Sequence, residues 1–381
     1  MKEKLRVLQV IPKLNISGAE QGCFDVANFL VKNNLLSYIA TSSGYRIEQL
    51  EKNGSTVIKI PVHSKNPFTI ILNIFKISAI IRKHKINLIH ARSRAPAWSS
   101  YFAAKLTNIK FVTTFHGTYN FNNFIKKFYN SIMLRSDHVI AISEFIFSEI
   151  KNKYAFVNKN ISVVARGIDA STLNPLHVSI NEIDKFIEGQ SLRKKSIKIV
   201  LPGRITGWKG HKIAIEAMSY LKKNIENDFE LILVGPTDNI RLKKNLTEMI
   251  TNYALENNIK FTGPSKKMSM IYSLADIVLS CATDPEAFGR IPVEAQAMGK
   301  TIIASNHGGH KETIIEGMSG FLYSPLNAQE LARTIQNVIS SDLYKSEKIK
   351  NKRRKFILEN FTDEVMCLKT LNIYQQVLDI E

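Results

Sequence analysis

Two carboxylates, Glu286 and Glu294, lie eight residues apart and are the first side chains of this chain that could act together. The apolar run "ADIVLS" before them predicts a buried strand. The segment "RIPVEAQAMG" predicts a helix that begins near residues 291–292 and ends at Gly299. Glu286 is therefore expected in the turn between strand and helix, and Glu294 in the first turn of the helix.

The same turn brings backbone donors together. The N–H groups of Ala287, Phe288 and Gly289 precede the predicted helix. Because a helix N-terminus carries unpaired N–H groups and a partial positive charge, this turn suits an anion or a hydroxyl-bearing ligand. The alternative is that the two acidic residues only stabilise the helix dipole, which is the commoner use of carboxylates at a helix start.

Two cations follow an earlier predicted strand. In "LPGRITGWKGH", Arg204 and Lys209 share a glycine-containing turn that precedes a predicted helix. A positioned Arg and Lys can stabilise negative charge that develops on a leaving diphosphate, and the rigid fork of Arg is not interchangeable with the point charge of Lys. A solvated basic loop is the alternative.

Further glycines stand where predicted strands end. Gly308 and Gly309 follow the strand "TIIAS" within "SNHGGHKE", and Gly263 ends the strand "IKFTG". Glycine permits close approach of the backbone to a ligand, although a plain turn explains the same residues.

These motifs carry a family resemblance. The spacing E-x7-E, followed by "GGHKE", resembles the donor site of the retaining GT-B glycosyltransferases of family 4, which use nucleotide sugars. The resemblance implies that Glu286 contacts the donor sugar, that Glu294 contacts the ribose, and that Arg204 and Lys209 hold the diphosphate. It also places the base near Gly263.

The resemblance extends to two residues of the first half. His116, in "TFHGTY", matches a histidine that approaches the donor sugar, and Gly18, in "SGAE", matches a glycine pair of which this chain keeps one member. His116 is then expected to orient the sugar by hydrogen bonding, whereas a satisfied core histidine is the alternative. Since retaining enzymes of this type have no convincing side-chain nucleophile, Glu286 is not assigned that role.

An arginine pair is the candidate acceptor site. Arg92 and Arg94 lie in "HARSRAPAW", which is expected to form a loop after the fourth strand. Two arginines there suit a phosphorylated or carboxylated acceptor, such as an inner-core sugar of lipopolysaccharide, and similar strings occur in lipopolysaccharide glycosyltransferases. Solvent-facing arginines that support the fold are the alternative.

Length and composition are those of an ordinary two-domain globular protein. The chain has 381 residues, of which 44% are hydrophobic and 22% charged. No apolar run reaches the length of a membrane span, and the N-terminal segment predicts a strand rather than a signal peptide, so a cytoplasmic protein is expected. The three cysteines, far apart in sequence, are expected to be buried free thiols.

Positive charge is concentrated in the first half. Residues 1–168 contain 24 Lys or Arg and 8 Asp or Glu, a net charge of +16, whereas residues 169–381 contain 28 and 25, a net charge of +3. Such an excess fits an anionic lipid, a phosphorylated glycolipid or nucleic acid. A genome rich in Lys, Ile and Asn codons explains it equally well. No nucleic-acid-binding motif accompanies the charge, so nucleic acid is not the expected partner.

Apolar strands alternate with helices along both halves. This pattern predicts an α/β fold with two doubly wound, Rossmann-like domains that face each other across a cleft, the GT-B architecture. The expected domains are 1–168, which binds the acceptor, and 197–360, which binds the nucleotide sugar, joined by a linker over 169–196. By the resemblance, a terminal helix at 361–381 packs back on the first domain. A GT-B epimerase or phosphorylase is the alternative enzyme.

The positive charge of the first half and two of its predicted helices indicate that the protein associates peripherally with a membrane. Residues 51–127 contain 13 Lys or Arg and one acidic residue. The predicted helix at 67–84 has a broad apolar face, most of which is expected in the core. The predicted helix at 122–134 has Phe121, Phe124, Ile125, Phe128 and Ile132 on one side, with basic residues beside them. This is typical of an interfacial helix and predicts reversible association with an anionic inner leaflet. Packing of both faces on the sheet is the alternative.

No metal or other cofactor is expected. The sequence contains no Asp-x-Asp, and Arg204, Lys209 and a helix N-terminus are available for the diphosphate. The co-substrate is expected to be a UDP-, GDP- or ADP-sugar, and the partner a glycan or glycolipid acceptor.

Overall fold

The computed structural model describes residues 5–15, 17–119, 123–154 and 160–379. The chain divides into two compact units, which are described separately. The first unit comprises Met1–Gly167 and Asp363–Glu381, and the second comprises Ile168–Thr362. Among the described residues, no helix is both long enough and apolar enough to cross a membrane.

The first unit is a parallel sheet with helices between its strands. Its strands are β1 (Arg6–Val10), β2 (Leu36–Thr41), β3 (Thr56–Lys59), β4 (Leu88–Ala91), β5 (Lys110–Phe115), β6 (His138–Ala141) and β7 (Ile161–Val163). Its helices are α1 (Gly18–Lys32), α2 (Ile47–Lys52), α3 (Pro67–His84), α4 (Arg94–Thr107), α5 (Phe124–Ser131), α6 (Glu144–Lys153) and, at the end of the chain, α15 (Asp363–Val377).

The strand order places a switch point between β1 and β4. The order is β3-β2-β1-β4-β5-β6-β7, and every pair is parallel. The chain therefore winds one way from β1 to β3 and the other way from β4 to β7, and ligands of such sheets bind where the direction reverses. Val7 and Leu88, which pair in register at this point, are fully buried.

The second unit repeats this plan. Its strands are β8 (Ile197–Pro202), β9 (Phe229–Val234), β10 (Ile259–Gly263), β11 (Ile277–Ser280), β12 (Thr301–Ser305) and β13 (Gly320–Tyr323), in the order β10-β9-β8-β11-β12-β13. Its helices are α7 (Ile180–Gly189), α8 (His211–Asn224), α9 (Ile240–Asn252), α10 (Met268–Leu274), α11 (Arg290–Ala297), α12 (His310–Thr313), α13 (Ala328–Ser340) and α14 (Glu347–Asn360). Two doubly wound α/β units confirm the predicted fold class.

The segment 169–196, expected as a linker, belongs to the second unit. It contains α7, and Ile187 and Leu192 are buried. Ile180, Ile183 and Ile187 recur at helical spacing, a signal that the prediction of a linker did not use. The terminal helix α15 belongs to the first unit, where Met366 and Tyr374 join the same core cluster as Val26 of α1.

The helix expected at 122–134 is shorter than predicted. The α-helix α5 ends at Ser131, and Ile132–Leu134 form a 3₁₀ turn whose three side chains are buried. Ile132, expected on an interfacial face, is therefore a core residue, and Phe121 lies outside the described residues.

Candidate functional site

Three loops of the second unit meet at the carboxyl ends of adjacent strands. They follow β8, β11 and β12, which are neighbours in the sheet. The Thr283 N–H donates to the Trp208 carbonyl over 2.7 Å, and the Gly309 N–H donates to the Glu286 carbonyl over 2.8 Å. The structure thus joins the basic loop, the E-x7-E turn and the double-glycine loop, which are far apart in sequence.

Lys209 and Glu286 form an ion pair in this group. Lys209 Nζ lies 2.6 Å from Glu286 Oε1, and the two side chains are 18% and 11% exposed. Lys209 Nζ also lies 4.4 Å from the centroid of the Trp208 ring. A cation and a carboxylate this close together, at the carboxyl ends of parallel strands, can contact a phosphate and a sugar hydroxyl of one bound ligand.

Arg204 lies on the same loop but is not part of this pair. Its side chain is 65% exposed, and its nearest recorded carboxylate is Asp238, at 3.9 Å between Nη1 and Oδ2. Two such exposed charges attract each other weakly, so the guanidinium is free to turn toward a ligand. The structure therefore brings together only one of the two predicted clamp cations with Glu286.

Glu294 is held from two sides. The Tyr272 hydroxyl donates to Oε2 over 2.7 Å, and Arg290 Nη2 lies 3.0 Å from Oε1. Burial, and then the neighbouring Glu294, raise the pKa of Tyr272 well above its ordinary value, so the phenol stays protonated and remains a donor. Because α11 begins at Arg290, one residue earlier than expected, Glu294 lies in its second turn.

The turn before α11 is close-packed. Gly289 is the N-cap residue, with φ of 79°, and a Cβ atom there would lie 2.5 Å from Cδ2 of His310. Phe288 is buried, with its ring centroid 5.9 Å from that of Phe361, so only its backbone can serve a ligand. Ala287 lies between Glu286 and Phe288 in this turn.

The double glycine packs against the same turn. A Cβ atom at Gly308 would lie 2.5 Å from the Glu286 carbonyl oxygen, and one at Gly309 would lie 2.4 Å from the Phe288 carbonyl oxygen. Both glycines are therefore required by packing within the protein, whether or not a ligand also approaches them. Gly263 ends β10, and its carbonyl accepts the Gly235 N–H over 2.9 Å.

The first unit has a pocket at its own switch point. It has a volume of about 340 Å³ and is lined by residues that follow β1, β4 and β5 and by the start of α1. Gly18 is the first residue of α1, after the capping residue Ser17, whose N–H donates to Glu20 Oε2 over 2.6 Å. A Cβ atom at Gly18 would meet nothing within 4 Å. Packing among the described atoms therefore does not require a glycine at this position.

Arg92 and Arg94, expected together on a loop that binds the acceptor, differ in burial and in contacts. Arg92 is 4% exposed; its Nε donates to Gln9 Oε1 over 2.7 Å, and its Nη2 has no hydrogen-bond partner among the described residues. Arg94 is the first residue of α4, donates to Asn130 Oδ1 over 2.8 Å and lies 4.3 Å from the centroid of the Tyr119 ring. Arg92 lies on the two-residue loop between β4 and α4, as expected, whereas Arg94 belongs to the helix, because β4 ends at Ala91 and α4 begins three residues later.

His116 lines the same pocket. The residue is half-buried, but both ring nitrogens are shielded from solvent and have no hydrogen-bond partner among the described residues. Burial, and then the Arg166 and Arg92 guanidinium groups, lower the pKa of His116 well below its ordinary value of 6.5. The imidazole is therefore neutral, so one nitrogen can donate a hydrogen bond and the other can accept one.

Two residues that contact the candidate site residues were not predicted from the sequence. Arg166, which follows β7, is buried and donates to the Gly18 carbonyl at the start of α1. Its position three residues after the end of β7 was the available signal. Tyr272 belongs to α10, and nothing in the sequence pattern indicates that its hydroxyl reaches Glu294.

Within the described ranges, no group of three or more His, Cys, Asp or Glu side chains is arranged to bind a metal ion. The three cysteines are free and buried, as expected. The polar groups near these sites include the Lys209–Glu286 pair, Arg204, Glu294 and the start of α11 in the second unit, and Arg92, Arg94 and His116 in the first.

Family models match both halves of the chain. The model of Glycosyltransferase Family 4 matches residues 16–172, and the model of Glycosyl transferases group 1 matches residues 182–356. Among solved structures, a glycosyltransferase from Rickettsia africae ESF-5 is 37% identical, with 98% of this chain and 99% of that chain covered and a TM-score of 0.89.

Two more distant structures share the fold. HepE of Anabaena, solved in complex with UDP, is 22% identical with a TM-score of 0.84, covering 98% of this chain and 100% of that one. HepE has also been solved with UDP-glucose. The lipopolysaccharide outer core galactosyltransferase WaaB is 15% identical with a TM-score of 0.73, covering 97% and 99%. The chain is therefore a glycosyltransferase of family 4 with the GT-B fold.

Proposed function

We propose that this enzyme transfers a hexose-type sugar, with retention of configuration, from a nucleoside diphosphate donor to a glycan or lipid-linked acceptor. The observation that carries the proposal is the Lys209–Glu286 pair, 2.6 Å apart beside the start of α11. One bound sugar diphosphate can present a phosphate to the ammonium and a hydroxyl to the carboxylate. The complexes of HepE with UDP and UDP-glucose support a UDP-sugar, and GDP- and ADP-sugars are the other candidates.

Lys209 and the α11 N-terminus act on the leaving group. As the bond between the anomeric carbon and the diphosphate oxygen breaks, negative charge grows on that oxygen. Groups that bind this charge stabilise the transition state more than the ground state. Arg204, exposed on the same loop, adds a second positive charge when the donor is bound.

The carboxylates position the donor. Glu286 accepts hydrogen bonds from sugar hydroxyls, and Glu294, fixed by Tyr272 and Arg290, accepts them from the ribose. No side chain acts as nucleophile. The acceptor oxygen bonds to the anomeric carbon on the face that the diphosphate leaves, and its proton passes to the departing phosphate oxygen. His116 orients the sugar as a neutral donor and acceptor.

The acceptor carries a phosphate or a carboxylate. Arg92 is buried with an unpaired Nη2 in the pocket of the first unit, and a buried guanidinium without a counter-ion is costly. An anionic group of the acceptor would supply the missing partner, with Arg94 beside it. A lipopolysaccharide or other cell-envelope polysaccharide fits this chemistry, and WaaB, of the same fold, acts on lipopolysaccharide.

The reaction takes place in the cytoplasm. The enzyme associates peripherally with the inner leaflet of the cytoplasmic membrane, where a lipid-linked acceptor is available. No metal ion takes part, since positively charged groups of the protein serve the diphosphate. Nucleic acid is not a partner.

The anomeric configuration of the product tests the proposal. The purified enzyme is incubated with each candidate nucleotide sugar and a phosphorylated glycan acceptor, and the product is analysed by NMR as it forms. An α-linked product from an α-linked donor is expected. A β-linked product would refute retention, and a donor that is epimerised or split by inorganic phosphate would indicate the alternative chemistries.

A further inference from the structure

Nine large apolar side chains on three helices of the first unit are exposed to solvent. They are Phe68, Ile71, Leu72 and Phe75 on α3, Phe102 and Leu106 on α4, and Phe124, Ile125 and Phe128 on α5. We name these nine side chains the three-helix surface. Clusters of exposed apolar side chains on this scale mark interaction sites.

The three helices are neighbours. α3 packs along α4. Trp98 of α4 joins α4 to α5, because its ring centroid lies 6.3 Å from that of Phe102 and 5.5 Å from that of Phe128. The exposed side chains of α4 and α5 are thus parts of one surface.

The apolar face of α3, most of which was expected in the core, is divided: Ile77, Ile80 and Ile81 are buried, whereas the large apolar residues nearer the start of the helix are exposed. Phe68 and Phe75 are 79% and 63% exposed, and with Ile71 and Leu72 they follow the three- and four-residue spacing of one helix face. The buried side of α3 instead includes Asn73, whose Nδ2 donates to the Pro61 carbonyl. Further along the exposed side the residues are basic.

α5 places no apolar side chain in the core. Its one buried residue is Asn130, which accepts from Arg94, whereas Phe124 and Ile125 are 81% and 76% exposed. A helix of eight residues gains little stability by itself, and most protein helices depend on burial of an apolar face. Phe124 and Ile125 therefore lack the apolar surroundings that such residues ordinarily have.

Charge identifies the class of that partner. No Asp or Glu occurs from residue 66 to residue 135, a range that spans all three helices. Exposed basic residues in this range include Lys76, Lys105, Lys126, Lys127 and Arg135. Two copies of this face would bring like charges together, which disfavours self-association. An anionic bilayer offers both an apolar interior and negative headgroups.

We propose that the three-helix surface docks on an anionic lipid bilayer. The aromatic and aliphatic side chains enter the boundary between headgroups and acyl chains, and the lysines contact the headgroups. The inference deepens the proposed function by naming the surface that brings the first unit to a lipid-linked acceptor. Docking itself requires neither donor nor acceptor, so it is tested without turnover.

Sedimentation of the full chain with vesicles tests the proposal. One vesicle set is phosphatidylcholine alone, and the other is phosphatidylcholine mixed with phosphatidylglycerol. Binding is expected only to the anionic set and should weaken as salt is raised. Lys126→Glu with Lys127→Glu, and separately Phe124→Ser with Phe128→Ser, should each weaken binding about tenfold or more.

Matched controls lie on the second unit. Lys243→Glu with Lys244→Glu changes the net charge by the same amount on α9. Leu176→Ser with Ile240→Ser removes two exposed apolar side chains, which are 89% and 86% exposed. Both controls should bind like the wild type. Circular dichroism of every variant checks folding, and turnover with a water-soluble acceptor should be unchanged, which separates failure of docking from failure of the proposed reaction.

Three results of the vesicle experiments would overturn the proposal. They are equal binding to neutral vesicles, absence of binding to anionic vesicles, and equal losses in the control variants. A dimer in solution that is abolished by Phe124→Ser with Phe128→Ser would instead assign the surface to a second copy of the chain, and would also overturn it.

Discussion

Lys209 Nζ lies 2.6 Å from Glu286 Oε1, so the two residues that we assign to phosphate and sugar carry opposite charges in direct contact. A diphosphate would compete with Glu286 for the ammonium and leave the carboxylate available to sugar hydroxyls. The pair therefore links recognition of the two parts of the donor.

Lys209→Ala should lower kcat/KM by roughly a hundredfold or more, because it removes positive charge from the leaving group. It should also reduce the free energy of unfolding by about 1–3 kcal/mol, since Glu286 loses its partner. Arg204→Ala should lower turnover similarly but leave stability unchanged, because Arg204 is exposed. Steady-state kinetics and urea denaturation measure both effects. Near wild-type turnover of either variant would remove that residue from the diphosphate site.

Regular elements could be predicted from the sequence because they follow apolar periodicity. The bounds of α3 agree with those expected. The helix α7 was missed, although Ile180, Ile183 and Ile187 recur at helical spacing, because the segment around them is polar. Strand ends located the site loops, but not their internal contacts.

Side-chain direction is the part that the sequence did not reveal. Arg92 comes one residue after β4, and its burial against Gln9 depends on the neighbouring strand β1. The contact of Tyr272 with Glu294 likewise joins residues on two helices, 22 positions apart. Such contacts depend on tertiary packing, which has no period in the sequence.

Glu294→Gln and Tyr272→Phe should both weaken nucleotide binding, with smaller effects on kcat. Glu294 is assigned to the ribose, and Tyr272 acts by holding it. Calorimetry should show that the two changes together cost less than the sum of their separate effects, because they act through one contact. The 2′-deoxynucleotide should bind both variants and the wild type about equally.

Glu286→Gln, in contrast, should lower kcat, and identical small effects of Glu286→Gln and Glu294→Gln would indicate carboxylates with only a structural role.

Gly18→Ala and Gly289→Ala should separate ligand contact from packing. A Cβ atom at Gly18 meets nothing within 4 Å, so the variant should fold normally yet lose activity if a ligand approaches the start of α1. A Cβ atom at Gly289 would lie 2.5 Å from His310 at a φ of 79°, so this variant should lose stability as well. Thermal denaturation and turnover are measured together. An active Gly18→Ala enzyme would contradict the ligand contact.

The low pKa of His116 makes stability depend on pH. The unfolded chain binds a proton as the pH falls through about 6.5, whereas the folded imidazole stays neutral, so acidification favours unfolding. Each such group contributes a slope of about 1.4 kcal/mol per pH unit below that value. Urea denaturation between pH 7 and pH 5 should therefore show a shallower decline for His116→Gln than for the wild type. Equal slopes would contradict the assignment of a neutral, buried imidazole.

Calorimetric titration of UDP, GDP and ADP in the presence of chelator tests whether Lys209 holds the diphosphate of the donor. We expect that at least one nucleoside diphosphate binds without a metal ion, and that Lys209→Ala weakens its binding about tenfold or more while Lys243→Ala does not. Binding that requires Mg²⁺ or Mn²⁺, no binding of any of the three, or equal affinity of the wild type and the Lys209 variant would contradict it.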